Sequence, residues 1–343
     1  MNAPFGPIAG ADHYIRVDRA RGRFQVDKRA FMDPEVFALE RDTIFKRCWL
    51  YVGHESEVQK PGQFVSRLVA NQAVLFIRGH DDVVRAFHNL CTHRGTLLTT
   101  EKCGHAKVFT CPYHGWVFRS NGALADKIAP YGYGPEFNSD GAYNLHPVPR
   151  LENYRGFWFM NMNPRAVSLE AYLAGAKEWI DMIVDQMPEG IEVTPGEQEF
   201  HVGCNWKSIS ENQIDSYHGP YLHTSYFRYA ASRAQQSAED QAKGYGGRGG
   251  GFGNGHAGFA NGVKAGKPYT DWIPAFGEAA KPLIDANKAR IIGQYGEARG
   301  REMCDRPRNL LIFPNTILND VLSLSVRTAW PETPTSCRSH IWN

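Results

Sequence analysis

The sequence is poor in cysteine, with seven in 343 residues. An odd count at so low a density excludes a disulfide framework and leaves metal ligation or plain burial for the thiols. Charge of one sign is scarce too: the formal net charge is +2, so neither nucleic acid nor an anionic membrane is expected as a partner. No run of about eighteen apolar residues occurs, and Met1 to Gly10 lacks the charged-then-apolar order of a leader. No membrane span is predicted, and a cytoplasmic protein is expected. The glycines between 244 and 266 are not followed by Gly-Lys-Ser/Thr, which excludes a phosphate loop, and no dinucleotide fingerprint follows a strand. There is no internal repeat.

What is present is ordinary for a globular chain with a sizeable core: 42% hydrophobic, 12% aromatic and 22% charged residues. The length suits one large or two ordinary domains. Asp33-Pro34 is a helix start, and Phe37, Ile44, Phe45 and Cys48 share one face of the segment leading to Trp49. Then the character changes. Runs at 64–69, 73–78 and 83–87 are β-branched or aromatic, with Pro61-Gly62, 79–82 and Asn121-Gly122 as turns. A small all-β domain is expected over 47–155, after a helical segment at 1–46 that packs on a larger domain at 156–343.

That larger domain should be mixed: a strand at Phe157 to Met160, a helix within 168–187, a strand ending at Cys204, a helix from Asn205, a helical stretch from Phe276 to Met303, and strands at Leu310 to Phe313 and Val321 to Val326. Residues 244–266 are too glycine-rich for a regular element and read as a mobile flap. The fold class is therefore α+β, with a central antiparallel sheet and helices in the larger domain.

Two loops concentrate ligand chemistry. Cys91-Thr92-His93 and Cys111-Pro112-Tyr113-His114 lie seventeen residues apart in strand-like surroundings, and each offers one thiolate and one imidazole. Two such loops can grip two irons, Cys91 with Cys111 on one and His93 with His114 on the other; replacing two thiolates of a [2Fe-2S] cluster by neutral imidazoles removes negative charge and raises its potential. A structural zinc is the alternative. Cys103-Gly104-His105 repeats the first pattern, but only five residues separate it from Cys111, too few for an intervening hairpin. Cys48, Cys204, Cys304 and Cys337 have no ligand-like neighbour and are expected to be buried.

The second concentration lies at 205–223. On a helix, Glu211, Asp215 and His218 would share one face at i, i+4 and i+7. His223 falls off that face unless the helix bends, and Gly219-Pro220 supplies the bend. Two histidines and a carboxylate on one side of an iron form the facial triad of non-heme Fe(II) oxygenases.

Both segments, with Arg94-Gly95 and Gly115-Trp116, resemble the Rieske non-heme iron aromatic ring-hydroxylating oxygenases, large (alpha) subunit. The resemblance implies a [2Fe-2S] cluster on Cys91, His93, Cys111 and His114, and an Fe(2+) on His218 and His223. It further implies O2-dependent dihydroxylation or hydroxylation of an aromatic compound. Electrons would come indirectly from NAD(P)H through a ferredoxin or flavin reductase. Homotrimers are implied, with a small beta subunit in some members, and Asp215 would link His218 to His114 of the partner subunit. Pocket lining is expected from Tyr217, Phe227, the 244–266 flap, Asn319 and Asp320. Family members carry the third iron ligand, an Asp, on a helix beyond the strand matching 322–326, and Thr335 to Asn343 resemble neither that helix nor its approach. The third ligand is thus unassigned, with Asp320 the substitute to weigh, and the C-terminal part is expected to be missing. Two other classes stay open: an electron-transfer or inactive truncated form, and a zinc-binding structural protein.

Overall fold

The computed structural model describes residues 14–215, 217–234, 247–260, 267–321 and 323–343. The chain divides into two compact units, one of Met1–Glu40 with Glu170–Asn343 and one of Arg41–Leu169. The first unit opens on a hairpin of β1 (Ile15–Asp18) and β2 (Arg23–Val26), followed by α1 (Arg29–Met32) and α2 (Pro34–Glu40). The N-terminal segment is therefore not helical throughout, as the sequence reading had it. The predicted helix start holds: Asp33 Oδ1 accepts the Glu35 amide at 2.8 Å, with Pro34 in the first turn where its missing N–H is harmless.

The second unit is all-β in its regular core. It contains β3 (Leu50–His54), β4 (Gln63–Val69), β5 (Gln72–Arg78), β6 (Val84–His88), β7 (Cys103–His105), β8 (Val108–Thr110), β9 (Val117–Arg119), β10 (Leu124–Asp126), β11 (Arg150–Tyr154) and β12 (Phe157–Asn161). They form antiparallel sheets in the orders β6-β5-β4-β7, β10-β9-β8 and β11-β12-β3. Phe64, Leu75, Phe109, Trp116 and Phe118 pack one core around Cys91 and Cys111. The repeated Cys103-x-His105 pattern lies on strand β7, paired with Gln63 to Val65, and not on a loop.

Elements continue with α3 (Leu169–Leu173), α4 (Ala176–Val184), β13 (Gln198–Val202), α5 (Trp206–Ile214), α6 (Gly219–Leu222) and α7 (Thr224–Ala234). Then come β14 (Arg248–Gly253), β15 (His256–Ala260), α8 (Lys281–Tyr295), α9 (Glu297–Asp305), β16 (Arg308–Ile312), β17 (Thr316–Asp320), β18 (Leu324–Thr333) and β19 (Ser336–Trp342). The seven strands make one antiparallel sheet in the order β13-β19-β18-β17-β16-β15-β14. Its two faces are served by different helices. Asn309 donates to Gln213 O in α5, whereas its neighbour Arg308 donates to Met303 O in α9, and alternation sends successive side chains to opposite faces.

Two expectations are corrected here. The glycine-rich stretch is not a flap where it is described: 248–260 is the β14–β15 hairpin at the sheet edge, while 244–246 and 261–266 lie outside the described residues. Strand pairing uses only backbone groups, so glycines can supply it. At Gly258 close approach demands one, since a Cβ would lie 2.7 Å from Phe252 and 2.8 Å from Trp179 of α4. The strand expected at Val321 begins only at Leu324, because Asp320 ends β17 and the chain turns there. Among the described residues, no helix is long and apolar enough to cross a membrane.

The face of the sheet opposite α5 is held by a buried ionic cluster. Asp320 Oδ2 accepts from Lys267 Nζ at 2.8 Å, Gln186 Nε2 at 3.0 Å and an Arg308 guanidinium nitrogen at 3.1 Å, and Oδ1 accepts from Tyr269 Oη at 2.8 Å. Burial opposes the charge on Asp320, yet Lys267 and Arg308 hold its pKa below the ordinary value. The side chains of Asp320 and Arg308 are 0% exposed. His256 ties the hairpin to the rest: Nδ1 accepts the Phe313 amide at 2.9 Å and Nε2 donates to Tyr172 O at 2.7 Å, which fixes the neutral tautomer.

Removing one partner of a buried pair strands the others, so Asp320→Ala should lower stability by about 3–5 kcal/mol in urea unfolding. A loss below about 1 kcal/mol would contradict the cluster's role. Burial pushes the His256 pKa down to about 4. The unfolded chain, titrating near 6.5, takes up this proton first as pH falls, so the stability due to neutral His256 is intact above about pH 6.5 and is lost towards pH 4. Between pH 7 and pH 5 the parent protein should lose about 2 kcal/mol more than His256→Gln, which has no such titration. Equal losses in urea melts at the two pH values would refute the assignment.

Candidate metal centres

The two Cys/His loops have the same backbone design. In the first, between β6 and β7, the Cys91 amide donates to Thr96 O at 2.8 Å and the Gly95 amide to Cys91 O at 2.8 Å. In the second, between β8 and β9, the Cys111 amide donates to Trp116 O at 2.7 Å and the Gly115 amide to Cys111 O at 3.0 Å. Gly95 and Gly115 close these turns at φ of 71° and 66°, a region that a side chain disfavours.

Cys91 and Cys111 are 2% and 3% exposed. Burial pushes the Cys91 thiol up, with Cys111 close enough to add to the shift. The His93 and His114 rings lie 4.8 Å apart, and His93 stacks on Trp116 at 4.7 Å with the planes 6° apart. Trp116, which the sequence marked only as a motif residue, therefore fixes one ring. The Nδ1 atoms of both histidines are buried and have no hydrogen-bond partner among the described residues. Two orphaned nitrogens and two neighbouring thiols are what a cluster would complete.

A tetrahedral zinc would need all four ligand atoms within roughly 4 Å of one another. Among the described residues, three ligand atoms gather within 4.8 Å only at Glu197, Glu199 and His340. The four loop residues instead form two pairs, as two metals require. The donor set fits a [2Fe-2S] cluster.

The second centre follows α5, and here the expected geometry is corrected. The helix begins at an Asn205 cap, whose side chain accepts the Lys207 amide at 3.0 Å, but it ends at Ile214. Asp215 is extended, with φ −86° and ψ 131°, so Glu211, Asp215 and His218 do not share a helical face. The Asp215 carboxylate folds the chain instead. It accepts the Tyr217 amide at 2.8 Å and the His218 amide at 3.3 Å, competing successfully with helix continuation. Gly219-Pro220 does not bend an existing helix but starts the short α6.

The outcome still brings the imidazoles together. His218 Nδ1 bonds Asp215 Oδ2 at 3.0 Å, so its Nε2 is the free nitrogen, and it lies 3.2 Å from His223 Nε2. Two imidazole–metal bonds of about 2.1 Å at a right angle span about 3 Å, so the pair fits one metal ion. Against partial burial, the bonds from Tyr217 and His218 keep the Asp215 pKa below the ordinary carboxylate value.

Of the other candidates, Tyr217 is exposed and Phe227 lies outside the described side chains. Asp320 cannot double as an iron ligand, because both its oxygens serve the buried cluster. Asn319 instead donates to Asn309 Oδ1 at 2.8 Å.

Residues 48–131 match the Rieske [2Fe-2S] domain family, and residues 192–343 match the ring hydroxylating alpha subunit catalytic domain. The chain is 32% identical over 330 residues to the toluate 1,2-dioxygenase alpha subunit of Pseudomonas putida, covering 93% of this chain and 70% of that one. It is also 32% identical to the anthranilate 1,2-dioxygenase large subunit of Acinetobacter baylyi, covering 91% and 68%. Naphthalene 1,2-dioxygenase from Rhodococcus sp. bound to indole superposes with a TM-score of 0.76 at 26% identity, over 92% of this chain and 72% of that one. Two Cys/His loops of one backbone design, a pair of facing histidines beside a seven-stranded sheet, and these likenesses lead to one conclusion: the chain belongs to the Rieske ring-hydroxylating oxygenase alpha subunits, oxidoreductases that carry a [2Fe-2S] cluster and a mononuclear iron.

Proposed function

We propose that this chain is a terminal oxygenase subunit that hydroxylates or dihydroxylates an aromatic compound, with electrons delivered by a ferredoxin or flavin reductase. The single observation that carries the reading is the 3.2 Å separation of His218 Nε2 and His223 Nε2, with Asp215 fixing the first ring. In this reading the second unit is the cluster domain. Cys91 and Cys111 hold one iron of the cluster, and His93 and His114 hold the other through Nδ1. His218 and His223 hold the mononuclear iron. When bound, the two groups supply stored electrons and dioxygen activation at an open metal.

The protein residues then position and conduct. Asp215 keeps His218 in the Nδ1–H tautomer, which leaves the Nε2 lone pair for the metal and makes the ring a stronger ligand. Its carboxylate is also the proposed link between His218 and His114 of the partner subunit. The aromatic substrate class is supported by the relatives spanning most of the chain, named for toluate, 2-halobenzoate and anthranilate.

Metal and sulfide analysis of the purified chain should give three irons and two acid-labile sulfides. His223→Ala should lose one iron and keep the visible spectrum of the cluster, whereas Cys111→Ser should lose that spectrum. Zinc without sulfide would end the proposal. Asp215→Asn should retain the metals and lower substrate-coupled O2 uptake by about 10–100-fold, the usual effect of removing a carboxylate behind a metal-bound imidazole. Full coupled turnover in that variant would sink the role of Asp215.

A further inference from the structure

The last turn of any helix leaves backbone carbonyls without intrahelical donors. In α5 one of these, Gln213 O, receives the Asn309 side-chain amide at 3.0 Å. Asn309 is on β16, and its cross-strand partner on β17 is Asn319. Asn319 Nδ2 donates to Asn309 Oδ1 at 2.8 Å. That second bond decides the first: with its oxygen engaged by Asn319, the Asn309 amide must turn its NH2 towards the helix. The two asparagines thus form a directional relay from the sheet to the end of α5.

The held carbonyl lies two residues before Asp215, where the chain leaves the helix. The rest of α5 is anchored as well. Asn205 Nδ2 donates to Phe31 O at 2.9 Å and Pro334 O at 2.7 Å, and Ser210 Oγ donates to Pro314 O at 3.2 Å. Of these anchors only Asn309 grips the end next to Asp215. Its platform is stiff, because Arg308 and Asp320, next to Asn309 and Asn319 on the same two strands, are locked in the ionic cluster on the opposite face.

We propose that Asn309, oriented by Asn319, is a positioning residue that sets where Asp215 leaves α5 and so where His218 presents Nε2 to the metal. The proposal rests on the reading of His218 as an iron ligand. Neither asparagine touches the reacting atoms.

Asn309→Asp and Asn319→Asp keep shape but remove the donor that each link needs. In the iron-loaded protein, each should speed amide hydrogen exchange at Tyr217 and His218 about 10-fold and weaken mononuclear iron binding about 10-fold, the scale of lost outer support for a ligand. The cluster's visible spectrum and the melting temperature should stay at the parent values, and kcat should fall with KM unchanged. The double variant should show no more than the larger single effect, because the two bonds act in series. Asn309→Ser removes the amide without adding charge and should give the same exchange result, which guards against a folding defect in the Asp variants. Parent-like exchange and iron affinity in these variants, while His218→Ala loses its iron, would overturn the relay alone. Iron retained in His218→Ala would overturn the reading beneath it.

Discussion

Two imidazole nitrogens held 3.2 Å apart, the His218 one left with its lone pair by the bond to Asp215, can share the gap only with a proton or a cation between them. The surrounding unit keeps that arrangement in place. Asp215 takes the proton-bearing side of His218, so the ring cannot turn away without losing a charge-assisted bond. Behind Asp215, α5 is pinned to the sheet at its end through Gln213 O, at its start to Phe31 O and Pro334 O, and through Trp206 Nε1 to the Glu40 carboxylate at 2.9 Å. A short helix by itself is marginal, and its axis is only as fixed as its contacts. Here those contacts come from residues 96 or more positions away in sequence.

The cluster loops solve the same problem by another means. Instead of a pinned helix there are two near-identical turns, the second closing the β8–β9 hairpin, and their shape is set by backbone bonds and a left-handed glycine in each. Aromatic packing then finishes the task, with Trp116 under one histidine ring and Tyr113 at 3.7 Å from the other. The buried Nδ1 atoms would be a net loss in the metal-free chain, which couples folding of this region to loading.

Much of this was legible in the sequence, and the division follows range. The strands read at 64–69, 73–78 and 83–87, the helix start at Asp33-Pro34 and the Cys/His loops are set by neighbours a few residues away, so pattern reading finds them, whereas Phe157 to Met160, read as part of the larger domain, pairs within the second unit. The end of α5 was misplaced because Ser216, Tyr217 and His218 carry no helix-breaking signal; the stop comes from the Asp215 carboxylate capturing two downstream amides. The glycine-rich hairpin was missed because its pairing partner, β16, lies some fifty residues on, and glycine hides strand propensity. Asp320 looked available because its partners Lys267, Gln186 and Arg308 are scattered along the chain. Asn309 gave no signal at all, since nothing local marks an amide that caps a distant helix.

The interruption of the first unit bears on the order of assembly during synthesis. Residues 41–169 form a contiguous stretch that can close its own core as soon as it leaves the ribosome, since domains fold as units from the N-terminus onward. The sheet beneath α5 has no such opportunity. Its strand β13 is hydrogen-bonded to β19, so it waits for Ser336 to Trp342 before it gains a neighbour. The unit that carries the Cys/His loops can thus close while the sheet behind His218 and His223 still lacks a pairing, so the two units differ in how early in synthesis their contacts become available.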